Sequence, residues 1–121
     1  MITFGNLIDE TKIKGYVGFV YRVTELDSGM KYIGMKTFKA KDKWQTYRTS
    51  NFYLKDQIKE EPDNFKLEVI ALCTDATSLK MTEAKYILWE NTIDTSVGYN
   101  ANIILNIRCG LKNLHNRVTL V

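Results

Sequence analysis

The sequence predicts a small α/β (α+β) fold: a sandwich in which helices flank a three-stranded, mainly antiparallel sheet. Three observations support this prediction. Two short stretches rich in apolar and β-branched residues are joined by a turn, a later stretch has strand-like alternation, and two segments have helical periodicity. Their order is β-β-α-β-α, followed by a tail. The chain of 121 residues is long enough for one domain with one modest core.

The first two strands are predicted at 17–24 and 30–36. Valines and aromatic residues dominate the first, and the connection between them ends in Gly29, which can adopt the positive φ that such turns need. The two strands should pair antiparallel and carry one tyrosine each, Tyr21 and Tyr32. Aromatic cross-strand packing alone is a second explanation for two tyrosines on paired strands.

A helix and a third strand are expected next. The helix covers about 51–60, with Thr49 or Ser50 as its N-cap and Pro62, the only proline, after its end. Residues 65–73 begin with strict alternation of polar and apolar residues and finish as an apolar run. This pattern predicts a central strand.

The longest helical pattern, about 76–92, begins after Asp75, a good N-cap residue. Glu83 lies four residues after Leu79 and therefore on the apolar stripe of this helix. A carboxylate on a stripe that faces the core must be paired, bind a cation or open onto a cleft. The alternative is that the stripe is rotated, so that Glu83 lies at its edge, solvated or paired with Lys80.

Composition limits the classes of protein that the chain can represent. A hydrophobic fraction of 45% and a charged fraction of 26% are ordinary for a globular domain. No apolar run is long enough for a transmembrane helix, and the N-terminus lacks the features of a signal peptide. We therefore expect a cytoplasmic protein without a membrane partner. Cys73 and Cys109 show no metal-binding spacing and are expected to be free, buried thiols.

Positive charge is concentrated in residues 31–48. This segment holds six Lys and Arg residues against one Asp, a net charge of +5, whereas the whole chain has +3 and the rest therefore −2. Such a segment favours contact with an anionic partner such as a phosphate backbone, unless it is a solvated lysine-rich loop. The residues expected to bind nucleic acid are Lys36, Lys39, Lys41, Lys43, Trp44 and Arg48. Trp44 and Tyr47 are also explained as anchors in the core or under a lid.

Several short motifs occur in a specific order along these elements. They are Gly18-Phe19-Val20-Tyr21, Tyr32-Ile33-Gly34, Trp44 with Tyr47 and Ser50, Asn64-Phe65, Glu83, and Tyr99-Asn100. Together they resemble the GIY-YIG nuclease family, and most closely its small phage-encoded members related to homing endonucleases. Ten residues separate Tyr21 from Tyr32, a spacing typical of that family. The resemblance covers about residues 15–102 and departs from the family pattern at Phe19, which is inserted, and at Met35.

The resemblance implies a metal-dependent DNA endonuclease that hydrolyses phosphodiester bonds and is encoded by a phage or mobile element. It implies that Tyr21 contacts the attacking water, that Tyr32 lies beside the scissile phosphate, and that Glu83 holds one Mg²⁺ or Mn²⁺ ion. Asn100 would orient Glu83 or the ion. The family arginine that steadies the phosphate has no direct counterpart, so Arg48, Lys36 or Lys43 would supply this charge.

The domain organisation expected from the resemblance is an N-terminal arm at 1–14, a nuclease domain at 15–102, and an extension at 103–121 packed on the same domain. Within the extension, residues 103–107 are compatible with a short strand or a short helix. Target choice would come from the basic segment and a partner protein, would come from a homodimer, or would be relaxed. The alternative function is a catalytically degenerate domain that binds DNA or protein and cuts nothing.

Overall fold

The part of the chain that the structure describes contains four antiparallel strands and two α-helices. The structure is a computed structural model, and it describes residues 10–38, 44, 47–101 and 113–121. The strands are β1 (Gly18–Glu25), β2 (Lys31–Thr37), β3 (Phe65–Cys73) and β4 (Val118–Leu120), and the helices are α1 (Phe52–Glu60) and α2 (Ala76–Glu90). The strand order in the sheet is β2-β1-β3-β4.

The predicted class is confirmed in its helices and its antiparallel sheet, but the prediction of three strands is wrong. β4 pairs antiparallel with the end of β3, with Val118 opposite Cys73 and Leu120 opposite Ala71. A strand of three residues is too short to show the alternation that identifies a strand in a sequence. The tail segment 103–107, for which a strand or a helix was considered, lies outside the described residues.

The two helices begin at capped residues. The side chain of Asn51 accepts a hydrogen bond from the Leu54 N–H at 3.0 Å, so Asn51 is the N-cap of α1, and the prediction of Thr49 or Ser50 is wrong by one or two residues. Asp75 caps α2 as predicted, because its carboxylate accepts from the Ser78 N–H at 2.9 Å. α2 ends at Glu90, two residues earlier than expected, since Asn91 adopts the left-handed conformation with φ 53°.

The two helices pack on opposite faces of the sheet. Alternate residues of a strand point to opposite faces, and β1 divides its side chains between two clusters accordingly. On one face, Phe19, Tyr21 and Val23 share a cluster with Leu54 and Ile58 of α1. On the other face, Val20 and Ile33 share a cluster with Leu79 and Ile87 of α2. Tyr21 therefore belongs to the face that α1 covers.

Two expectations from composition can be compared with the structure. Among the described residues, no helix is long and apolar enough to cross a membrane. Cys73 is a free, buried thiol, as predicted, and it packs in the cluster beneath α2. Cys109 lies outside the described residues.

Candidate active site

Four hydroxyl-bearing side chains meet on the α1 face of the sheet, at the β2 edge. Tyr21 is completely buried, and its hydroxyl oxygen lies 2.9 Å from that of Tyr47 in a hydrogen bond. The Tyr47 ring meets the Tyr21 ring edge-on, with the centroids 5.6 Å apart. The hydroxyl of Tyr32 lies 3.1 Å from the Ser50 hydroxyl. We call Tyr21, Tyr32, Tyr47 and Ser50 the hydroxyl cluster.

Gly34 creates the space in which the Tyr21 ring lies. The two residues are directly opposite each other in the antiparallel pairing of β1 and β2. A Cβ atom added to Gly34 would lie closer than 3.0 Å to the Cζ, Oη and Cε1 atoms of Tyr21. The ring therefore crosses over the backbone of β2, which is the last strand on this side of the described sheet. The Tyr-Ile-Gly motif thus has a steric reason: only glycine admits this ring.

Burial favours the protonated form of two phenols of the hydroxyl cluster, Tyr21 and Tyr47. It raises the pKa of Tyr21 well above its ordinary value, and the neighbouring hydroxyl groups of Tyr47 and Tyr32 raise it further. Burial also raises the pKa of Tyr47, although hydrogen bonds with Tyr21 and Ser50 act in the opposite direction. At neutral pH these phenols are hydrogen-bond donors rather than bases. Complete burial also conflicts with the expectation that Tyr21 itself contacts the attacking water.

Two positively charged side chains lie beside Tyr47. The Lys36 ammonium is 4.8 Å from the centroid of the Tyr47 ring, a cation–π contact. Arg48 is half-buried, its guanidinium donates a hydrogen bond to the Tyr47 carbonyl at 3.1 Å, and burial lowers its pKa. Two of the three cations predicted for the phosphate, Lys36 and Arg48, are therefore near the hydroxyl cluster. Lys39, Lys41 and Lys43 lie outside the described residues.

Glu83 is half-buried between two fully buried positions of α2, Leu79 and Ile87. Burial raises the pKa of its carboxyl group. Within the described part of the chain, none of the ion pairs includes Glu83, so the proposed pairing with Lys80 is not seen there. Its negative charge is close enough to raise the pKa of Tyr47. Glu83 thus combines a carboxylate without a counter-ion among these residues with proximity to the hydroxyl cluster.

Asn100 has a different position from the one that the sequence suggested. Its side-chain oxygen accepts a hydrogen bond from the Ile33 N–H, and its side-chain nitrogen donates to the Ile33 carbonyl, both at 2.8 Å. These bonds satisfy the backbone groups of Ile33 that point away from β1 at the sheet edge. The amide therefore holds β2 in place between Tyr32 and Gly34, and it is not directed at Glu83.

Trp44 belongs to the core and not to the surface. Only 6% of the residue is exposed, and its ring packs edge-on against Phe38 at 5.4 Å and Phe19 at 6.3 Å between centroids. A buried indole has no free face for a nucleobase. We therefore remove Trp44 from the predicted nucleic-acid interface and assign it the anchoring role.

Tyr47 is the residue that the sequence analysis did not place in the site. The interpretation as an anchor does not anticipate its hydrogen bond with Tyr21, which lies 26 residues earlier in the chain. The available signal was its spacing of three residues from Trp44. Once Trp44 is fixed in the core, that spacing brings Tyr47 back toward the sheet.

Comparison with known proteins identifies the family of this arrangement. The family model described as "Putative endonuclease segE, GIY-YIG domain" matches residues 2–107. No curated protein and no solved structure gives a significant match. The matched range covers most of the chain, so the chain belongs to this GIY-YIG endonuclease family, as the sequence resemblance indicated.

Proposed function

We propose that this member of the GIY-YIG endonuclease family is a metal-dependent DNA endonuclease that hydrolyses phosphodiester bonds, and that it is encoded by a phage or mobile element. The main supporting observation is the meeting of three kinds of group near Tyr47: a hydrogen-bonded pair of phenols, two cations, and a half-buried carboxylate. Phosphodiester hydrolysis needs donors that orient water and phosphate, positive charge for the phosphoryl oxygens, and a site for a divalent ion.

Tyr47 is the tyrosine that meets the substrate. It is half-buried, whereas Tyr21 is completely buried, so of this pair only Tyr47 is partly accessible to a substrate. Tyr21 positions that hydroxyl through the 2.9 Å hydrogen bond between them. Because burial raises its pKa, the Tyr47 phenol stays protonated and acts as a donor to the phosphate or to the attacking water. Tyr32 supplies a further hydroxyl from β2.

Lys36 and Arg48 supply positive charge for the phosphate. In hydrolysis the water oxygen forms a bond to phosphorus while the bond from phosphorus to the leaving oxygen breaks, and charge develops on the phosphoryl oxygens. A guanidinium can bind two of these oxygens at once, so Arg48 is the better candidate for direct contact. Lys36 lies against the Tyr47 ring and adds charge from the β2 side.

Glu83 would hold the divalent ion, and its environment fits that role. A half-buried carboxylate without a counter-ion among the described residues is stabilised by a cation. The same residues contain no cluster of three His, Cys, Asp or Glu side chains, so the remaining ligands would be water and phosphate oxygens, as Mg²⁺ tolerates. The ion would neutralise charge on the phosphate and assist the leaving oxygen.

Cleavage of plasmid and short duplex DNA tests this proposal. The purified protein is incubated with Mg²⁺ or Mn²⁺ and then with a chelator, beside Glu83→Gln and Tyr47→Phe. Each variant should lower kcat by about 10²- to 10³-fold, the usual effect of losing one group that stabilises the transition state. The matched controls are Glu60→Gln on the exposed side of α1 and Tyr86→Phe on α2. Cleavage that continues in chelator and in Glu83→Gln would refute the assignment.

One observation favours the alternative of a binding domain without activity. Tyr21 is completely buried with a raised pKa, which is unsuitable for a catalytic base. DNA binding without cleavage in either Mg²⁺ or Mn²⁺ would support that alternative. Cleavage that Tyr47→Phe abolishes would instead support a site in which Tyr21 acts through Tyr47.

A further inference from the structure

Phe52 is the most exposed of the large hydrophobic residues that the structure describes. It is the first residue of α1, and 83% of it is open to solvent. The apolar residues Leu54 and Ile58 of the same helix are buried, so the packing of α1 on the sheet does not use the Phe52 ring. Its exposure leaves a large apolar surface in water and available to a ligand.

The position of Phe52 relates this contact to the hydroxyl cluster. Phe52 follows Ser50, whose hydroxyl bonds Tyr32, by two residues. Side chains in an α-helix lean toward the N-terminus, so the ring projects back toward the segment that carries Tyr47 and Ser50. The start of the helix is held in place by the Asn51 cap and by Tyr53, which stacks on Tyr99 with the ring centroids 5.2 Å apart. An exposed ring thus lies next to the segment that carries Tyr47 and Ser50 of the hydroxyl cluster.

The charges around Phe52 favour contact with a nucleobase of the DNA over contact with a phosphate. The next exposed charged residues along α1 are Lys55 and Asp56, whose charges offset each other. This turn of the helix therefore lacks the excess of positive charge that a phosphate backbone requires. An aromatic ring, by contrast, stacks on any nucleobase.

We propose that Phe52 stacks on a nucleobase of the DNA strand next to the phosphate bound at the hydroxyl cluster. This proposal rests on the proposed function, because it takes DNA as the substrate. Stacking tolerates all four bases, so Phe52 contributes affinity and position along the strand without selecting a sequence. The base must be unstacked from one neighbour, which locates the contact at a strand end, a nick or a locally opened step.

The first measurement is DNA binding in chelator, where cleavage does not interfere. Phe52→Ala should raise the Kd by roughly 5- to 150-fold, the range for the loss of one aromatic stack, whereas Phe52→Trp should have the Kd of the wild type. The matched control is Trp89→Ala, an aromatic residue that is 70% exposed and lies in the groove between α2 and β4. That groove borders β4, at the other end of the sheet from β2.

Salt dependence separates stacking from charge. The slope of log Kd against log salt concentration should be the same for Phe52→Ala and wild type, because no phosphate contact is lost. Lys36→Gln should lower that slope by about 1. A reduced slope in Phe52→Ala, or an unchanged Kd, would overturn the proposal. Circular dichroism and thermal unfolding confirm that each variant is folded.

An abasic scan locates the base. In a series of duplexes, one abasic nucleotide is placed at each position in turn, and the Kd of each duplex is measured with wild type and with Phe52→Ala. At one position the two proteins should have the same Kd, because the base on which Phe52 stacks is missing. An equal penalty at every position would overturn the stacking contact. If the wild type binds DNA with this pattern but never cleaves it, the nuclease proposal fails alone. If it cleaves and Phe52→Ala behaves as wild type, the stacking proposal fails alone.

Discussion

Gly34→Ala tests whether the steric fit between β2 and Tyr21 supports both the fold and the site. The new Cβ would lie closer than 3.0 Å to three atoms at the hydroxyl end of the Tyr21 ring. Because Tyr21 is completely buried, the ring cannot move without disturbing the cluster that contains Phe19 and Val23. Overpacking of a core costs about 1–3 kcal/mol. Loss of the Tyr21–Tyr47 hydrogen bond adds about 0.5–1.5 kcal/mol. We therefore expect the free energy of unfolding to fall by about 2–4 kcal/mol.

Urea denaturation at neutral pH measures this change, and DNA cleavage by the folded variant measures its effect on the site. Gly29→Ala is the control, because a Cβ there meets nothing within 4 Å and only the positive φ of 73° opposes it, at a cost of about 1–2 kcal/mol. Tyr21→Val removes the ring, so Gly34→Ala should cost little in that background. The steric explanation is refuted if Gly34→Ala lowers the free energy of unfolding by less than about 0.5 kcal/mol, the effect of an ordinary surface substitution. It is also refuted if Gly34→Ala costs the same in the wild type and in Tyr21→Val.

Three further predictions follow from individual contacts. Asn100→Asp places a carboxylate oxygen against the Ile33 carbonyl, so it should lower the free energy of unfolding by about 1–3 kcal/mol in urea denaturation; a neutral result would contradict the clamp on β2. Trp44→Ala should cost about 3–5 kcal/mol in the same assay while leaving the DNA affinity of the folded protein unchanged, and weaker binding by a stable variant would restore Trp44 to the interface. Burial raises the pKa of Tyr21 in the folded protein, and the resulting stability is fully present below about pH 10, the pKa of this phenol in the unfolded chain. It is lost as the pH rises toward the pKa in the folded protein. The free energy of unfolding should therefore decline above about pH 10, and less steeply in Tyr21→Phe.

The elements that the sequence predicts well are those whose pattern is local. β3 is predicted with its observed bounds, Phe65–Cys73, because alternation followed by an apolar run is visible in the residues themselves. Asp75 as the cap of α2 is likewise a local signal. β4 is different: three residues of the tail become a strand only because the edge of β3 is available to pair with them. That information lies in the fold and not in the segment.

In the candidate site, too, some features are visible in the local sequence and others depend on the fold. Tyr21, Tyr32 and Glu83 are found from motifs and from a carboxylate on an apolar stripe, both of which are sequence patterns. The sequence does not show how deeply each of these side chains is buried, and that burial determines which of them can contact a substrate. It makes Tyr21 a partner of Tyr47 instead of a group exposed to water, and it takes Trp44 out of the interface. The motif also finds Asn100 but not its role, since its partner Ile33 is 67 residues away.

A site that uses both Tyr21 and Glu83 has to combine groups from elements on opposite faces of the sheet. Tyr21 packs on the α1 face, and the buried neighbours of Glu83 on α2 pack on the other face, so the sheet separates the two elements. Tyr47 connects them at the edge of β2, the last described strand on that side, where Gly34 lets the Tyr21 ring lie over the strand. At that edge Tyr47 bonds the Tyr21 hydroxyl and is also within the electrostatic reach of Glu83. At the edge of β2 the hydroxyl pair of the α1 face therefore comes within electrostatic reach of a carboxylate on α2, and Gly34, the residue without a side chain, gives the Tyr21 ring its room there.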